Sequence, residues 1–250
     1  MDNLILISND DGIDSVGIKV LEEALSPLGR VVVVAPDNEQ SGSSHSLTLR
    51  SPIATTVIDE NHYRVSGTPT DCVLLATQVI LDRAPDILVS GINHGPNMGE
   101  DVTYSGTVAA AFEGTILGIQ SVAVSALQRS VADASTNGHY ARTVVEMVLK
   151  TGLPKYTVLN VNIPNPEVAP VEGIKITNLG SRHYENFIEK GPSQDGHVSY
   201  TIGGSDPVWT GDVGTDIAAV RAGYVSITPL NLDMTDYKAL VEMERWRFES

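Results

Sequence analysis

Basic residues are scarce: 16 Lys and Arg stand against 31 Asp and Glu, a formal net charge of −15. So acidic a chain repels a nucleic-acid backbone and an anionic membrane surface, so neither is an expected partner. A phosphorylated small molecule is not excluded, provided a cation reverses the local sign. Cysteine is nearly absent. The single Cys72 rules out an intrachain disulfide and a Cys-based zinc site. Its apolar setting before Val73-Leu74-Leu75-Ala76 reads as that of a buried structural thiol. Aromatics are few (2 Trp, 3 Phe, 8 Tyr), which leaves little from which to predict base stacking. There is no apolar run of about 18 residues, so no membrane-spanning helix is expected. The opening MDNLILISNDDG lacks a basic segment and has a short apolar run, unlike a secretory leader. A cytoplasmic protein is expected.

What is present describes an ordinary globular chain, 42% hydrophobic and 19% charged over 250 residues. At about 150 residues per domain this is one large domain or a core with an appendage. A chain this long buries roughly 70–75% of its unfolded surface and needs no covalent staple. Short continuous apolar runs at Leu4–Ile7, Val31–Val34, Asp86–Val89, Val122–Val124 and Val158–Val161 read as strands buried on both faces. Helical spacing separates them: 18–25, 69–81, 106–117 and a stretch around Val144–Leu149. Leu47, Leu49, Ile53, Thr55 and Val57 alternate as a hairpin or edge strand would. Repeated β-α-β units predict an α/β fold, a Rossmann-like parallel sheet flanked by helices. After about residue 165 helix periodicity fades. A β-rich appendage over 166–250 is expected, with a protruding hairpin at 174–205. A strand at Tyr224–Pro229 and a terminal helix over 234–247, with Leu240 and Val241 inward, complete it.

In such a sheet ligands bind beyond the carboxyl ends of the strands. Three loops rich in glycine and oxygen ligands follow strands there: Ser8-Asn9-Asp10-Asp11-Gly12, Asp37 to Ser46, and Ser90-Gly91-Ile92-Asn93 to Asp101. Two adjacent carboxylates at a buried strand end repel one another, and a hard divalent cation relieves that repulsion. Solvated turn residues or a helix N-cap would explain an isolated Asp-Asp-Gly equally well. Ser41 and Asn93 offer neutral oxygens to such an ion; Asn93 and Asn97 also suit plain turns between glycines. Tyr104-Ser105-Gly106-Thr107-Val108 opens a helix, and residues 102–125 hold one charged side chain, Glu113. That uncharged N-terminus is either an anion site or a simple Ser N-cap. Ser66-Gly67-Thr68-Pro69-Thr70-Asp71 opens another helix in the same manner. His45 and His94 are ambiguous loop residues.

Taken in order, these segments resemble the SurE family, the stationary-phase survival proteins E, which are metal-dependent 5′/3′-nucleotidases. The resemblance runs from residue 1 to about 125 and again over Gly223–Pro229. It implies Asp10, Asp11, Ser41 and Asn93 as metal ligands and one divalent ion, Mg²⁺ or Mn²⁺, per subunit. It implies Asn97, Ser105, Gly106 and Thr107 at the phosphate, and Asp10, Asn9 and Asp11 in catalysis. Nucleoside monophosphates, and for some members short polyphosphate, are the implied substrates. Homodimers or homotetramers that exchange the hairpin and the C-terminal segment are the implied assembly, mapped here onto 174–205 and 230–250.

Other readings meet obstacles in the residues. Aspartyl-phosphate phosphatases need Asp-x-Asp spacing, and here the carboxylates are adjacent. A non-enzymatic receiver domain needs an acceptor Asp after the third strand and a Lys after the fifth. The chain has Ser90-Gly91-Ile92-Asn93 and Asn160-Val161-Asn162 there. A dinucleotide binder needs G-x-G-x-x-G where this chain has Asn9-Asp10-Asp11-Gly12.

Overall fold

The architecture follows from a computed structural model that describes residues 3–127, 134–183, 188–194, 197–202 and 208–248. The first half alternates β1 (Asn3–Ser8), α1 (Val16–Leu25), β2 (Gly29–Pro36), β3 (Thr55–Val57), β4 (His62–Val65), α2 (Pro69–Leu75), β5 (Ile87–His94), α3 (Gly106–Ile116) and β6 (Gln120–Ala126). A π turn, Ala76–Ile80, prolongs α2. Then come α4 (Ala134–Thr151), β7 (Thr157–Ile163), β8 (Gly173–Ile176), β9 (Ser181–His183), β10 (Ile188–Gln194), β11 (His197–Ile202), β12 (Val208–Thr210), α5 (Asp216–Arg221), β13 (Tyr224–Asn231) and α6 (Tyr237–Met243).

Nine strands form one sheet in the order β3-β4-β2-β1-β5-β6-β7-β13-β8. The six from β4 to β7 are mutually parallel. Their apolar runs are unbroken because both faces are covered. Successive side chains take opposite faces. Ile5, Ile7, Val33, Val89 and Val124 pack with Ile18, Leu21 and Leu25 of α1 and with Val144, Val145 and Val148 of α4. Leu4, Leu6, Val32 and Leu88 pack on the other side with Cys72 and Val73 of α2 and Ala110 of α3. The predicted α/β class and the buried thiol hold.

Several expectations shift. The sheet is mixed: β13 runs antiparallel to β7, β8 is parallel to β13, and β3 is antiparallel to β4. Alternating burial looks the same in either direction, so strand polarity is not legible in it. β8 and β13, expected in the appendage, extend the central sheet, whereas β9–β12 and β10–β11 make separate two-stranded ribbons. Within the predicted hairpin, residues 184–187, 195–196 and 203–205 lie outside the described set. Of the 47–57 alternation only Thr55–Val57 is strand. The terminal helix is shorter than 234–247, and Leu240 and Val241 point outward, 49% and 57% exposed. Seven residues make barely two turns, and none of them is buried. Helix α5 lies where no helix was expected; six residues are too few to show a period.

The layer of α1 against β5 is tight. A Cβ on Gly17 would lie 2.0 Å from the Ile92 carbonyl oxygen. Gly17→Ala is therefore expected to destabilise the fold by about 1–3 kcal/mol, since rigid backbone must move. Urea unfolding, with the midpoint lowered and the slope unchanged, checks this.

Candidate active site

The chain leaves β1 for β2 on one side and later places β5 on the other. The strand order reverses between β1 and β5, and a crevice opens at their carboxyl ends. Asn9-Asp10-Asp11 begins there. Asn9 is fully buried, and its Nδ2 donates to the Gly12 carbonyl (3.1 Å) and to Ser15 Oγ (2.8 Å). Ser15 in turn caps α1. Asn9 Oδ1 is buried with no partner.

Asp10 is 4% exposed and faces the first turn of α3. The Thr107 hydroxyl donates to Asp10 Oδ1. The approach needs a glycine: a Cβ on Gly106 would meet Asp10 Oδ2 at 2.9 Å and Ser43 Oγ at 2.7 Å. Burial pushes the Asp10 carboxyl up to about 6, against the Thr107 hydrogen bonds, and the neighbouring Asp11 charge adds to the rise. Burial also raises Asp11, although His94 opposes it. Two carboxylates are thus held where their own charge is disfavoured.

The other loops converge on this pair. Gln40 N–H donates to the Asp10 carbonyl at 2.7 Å, which brings the Ser41 loop to the acidic turn. Ser41 itself is exposed and donates to Glu39 Oε1 (2.8 Å). His94 N–H donates to Asp11 Oδ2 (3.2 Å), which fixes the Asn93 loop. Asn93 Nδ2 is spent on the Gly95 carbonyl (2.9 Å), leaving its oxygen as the remaining side-chain donor atom. Asn97 is buried. Its N–H donates to Asn162 Oδ1 (2.8 Å), its Nδ2 to Ser125 Oγ (2.9 Å), and its carbonyl accepts from Asn160 and Asn162.

Ser105 Oγ accepts from Val108 N–H (3.1 Å), so it is an N-cap. The hydroxyl of Thr107 is engaged by Asp10. The other predicted helix start is a capping box: Thr68 and Asp71 satisfy each other, and Asp71 also holds Thr48. It anchors a loop. His45 Nε2 meets the buried Glu113 of α3 at 2.9 Å. Among the described residues no three His, Cys, Asp or Glu side chains gather into a metal-binding group, so any ion here draws on neutral oxygens too.

The chain as a whole matches a known family. The family model described as Survival protein SurE matches residues 5–186. The chain belongs to the SurE family. It is 45% identical to the 5′-nucleotidase SurE of Vibrio cholerae serotype O1, over 97% of this chain and 96% of that protein. It is 48% identical to the 5′-nucleotidase SurE of Aquifex aeolicus, over 94% of each. The crystal structure of the SurE protein from Aquifex aeolicus superposes with a TM-score of 0.85 at 45% identity, covering 96% of this chain and 98% of that one.

Sequence reasoning overlooked Asn160 and Asn162, the clamp on Asn97 in this SurE chain. The signal was present: two asparagines spaced by two on a buried strand share one face. It also overlooked Asp216, fully buried, whose carboxylate accepts from Gly99 N–H (2.9 Å), Gly180 N–H (2.7 Å) and Ile217 N–H (2.8 Å). Asn162→Leu is expected to cost about 1–3 kcal/mol, because it strands the buried Asn97 N–H and removes one of the two donors to its carbonyl, which keeps Asn160. Chemical denaturation measures the loss, and Asn162→Asp should recover only the half that accepts from Asn97 N–H.

Proposed function

We propose that this protein is a divalent-metal-dependent 5′-nucleotidase, hydrolysing nucleoside monophosphates to nucleoside and phosphate. The observation that carries the reading is the buried Asp10 at the switch point, seated on the N-terminus of α3. Near-full-length similarity to proteins named 5′-nucleotidase SurE supports it.

The residues fit a hard cation. Asp10 and Asp11 carry charge that burial disfavours, and Asn9 Oδ1 and Ser43 Oγ are buried without partners. An all-oxygen set of Asp10, Asp11, Ser41 and Asn93 suits Mg²⁺ or Mn²⁺. Bound there, such an ion polarises a phosphate oxygen and lowers the pKa of water. The chain's own groups do the rest. Asp10 orients the attacking water and accepts its proton. Asn9 holds the acidic turn closed through Gly12 and Ser15. The N-terminus of α3 at Ser105, Gly106 and Thr107 favours negative charge on the phosphoryl oxygens, and Asn97 is assigned to the same phosphate.

Assembly belongs to the same reading. A homodimer or homotetramer built by segment exchange would cover apolar surface on the ribbon and tail: Ile188, Tyr200 and Ile202 are 64%, 61% and 72% exposed, and Met234 87%. No helix among the described residues is long and apolar enough to cross a membrane. We place the protein in the cytoplasm, where a free, buried Cys72 needs no partner.

The test is phosphate release from AMP and GMP with Mn²⁺ or Mg²⁺, repeated after EDTA and after metal is restored. Turnover that disappears with chelation and returns with metal is expected; persistence in EDTA would overturn the metal site. Asp10→Asn is expected to lower kcat by about 10³-fold or more. Its unfolding midpoint should not fall, since the change removes a charge that burial disfavours. Near-normal kcat at saturating metal would remove Asp10 from the mechanism.

A further inference from the structure

Two carboxylates stand in the turn that leads into the phosphate-facing helix. Glu100 and Asp101 lie in the 3₁₀ turn Gly99–Thr103, immediately before Tyr104-Ser105-Gly106. Asp101 is only 8% exposed. Its carbonyl accepts from Tyr104 N–H (3.0 Å) and Ser105 N–H (3.2 Å), so its backbone sets where α3 begins. A buried negative charge there opposes the helix N-terminus and repels a phosphomonoester dianion.

The opposing charge comes from a distant segment. Arg182 of β9 places a guanidinium NH on Asp101 Oδ2, and its backbone N–H donates to Glu100 Oε2 at 2.6 Å. The guanidinium lies 4.8 Å from the centre of the Trp209 ring on β12, which pairs with β9. Asp216 ties the same two stretches together, since its carboxylate receives both Gly99 N–H and Gly180 N–H. Contacts therefore run from Arg182 through Asp101 to Ser105, and from α3 through Thr107 to Asp10.

We propose that Arg182 is a positioning residue that sets the phosphate affinity of the site by neutralising Asp101 and holding the turn that starts α3. It acts through Asp101. The inference rests on the reading of α3 as the phosphate-binding helix.

The experiment is calorimetric titration of inorganic phosphate into Mn²⁺-loaded protein, for the parent, Arg182→Ala, Asp101→Asn and the double variant, with unfolding midpoints beside them. Arg182→Ala is expected to weaken phosphate about ten-fold or more, as the buried Asp101 carboxylate loses its guanidinium partner in the turn that starts α3. Removing that carboxylate should restore binding, so the double variant is expected within about three-fold of the parent. A merely structural Arg182 would give a double variant as weak as the single one, which overturns the proposal. So would unchanged binding by Arg182→Ala. If Arg182→Ala does not fold, Arg182→Gln keeps an N–H donor without the charge, and the same ten-fold loss is expected. A parent protein that binds Mn²⁺ but no phosphate overturns the phosphate reading of α3, and this inference with it. A parent that binds phosphate while the variants behave alike overturns the inference alone.

Discussion

Everything in the site is arranged around one buried carboxylate set on the end of one helix. Asp10 leaves β1 at the reversal of strand order and meets the first turn of α3, where Thr107 donates to it and the missing side chain of Gly106 makes room. The helix end offers N–H groups with no partner inside the helix, Thr107's among them, and a partial positive charge, which lowers the cost of an ionised carboxylate. It does not cancel that cost, as the upward displacement of Asp10 shows. A group held in this intermediate condition favours a further cation while remaining in place before one arrives. The helix adds almost no charge of its own: among residues 102–125 the sole charged side chain is Glu113, and it is occupied by His45 two turns away.

The loops around Asp10 are short of regular structure but not of hydrogen bonds. Most are tied down by a buried polar side chain from another element, and the acidic turn by the backbone N–H of half-buried Gln40. Gln40 reaches the Asp10 carbonyl, Asn160 and Asn162 grip Asn97, Asp71 holds Thr48, and Asp216 receives three backbone N–H groups. Such groups are costly to bury unpaired and rigid once paired, so they convert irregular chain into a fixed surface. The sheet supplies the frame, and this second set of polar contacts makes the frame's edge into a site.

The same division explains what could be read before the structure was known. The apolar runs of β1, β2, β5, β6 and β7 announce themselves because strands covered on both faces admit almost nothing else. Asp10 and Asp11 were legible because adjacent carboxylates after such a run demand an explanation. Local chemistry of this kind spans a few residues. Asp216 meets Gly99 across 117 positions and Asn162 meets Asn97 across 65, and no spacing rule reaches that far. The direction of β13 was not read at all, because its burial pattern is indifferent to direction. The inward placement of Leu240 and Val241 assumed that an apolar pair always has a neighbour in its own chain. Ser105 and Thr107 do stand at the start of α3, yet their hydroxyls serve the cap and Asp10 respectively.

A chain with nearly twice as many acidic as basic residues has to attract an anion locally against its overall field. Among the described residues no cluster of lysines or arginines stands at the crevice to do so. On the proposed reading, partial charges and pairing serve instead: the N-terminus of α3, carboxylates whose burial favours a cation, and Arg182 set against Asp101. Each acts over a few ångströms, within the roughly 8 Å over which salt leaves exposed charges effective. The acidic surface beyond that distance is screened, so the sign of the whole molecule and the sign of its site can differ without conflict.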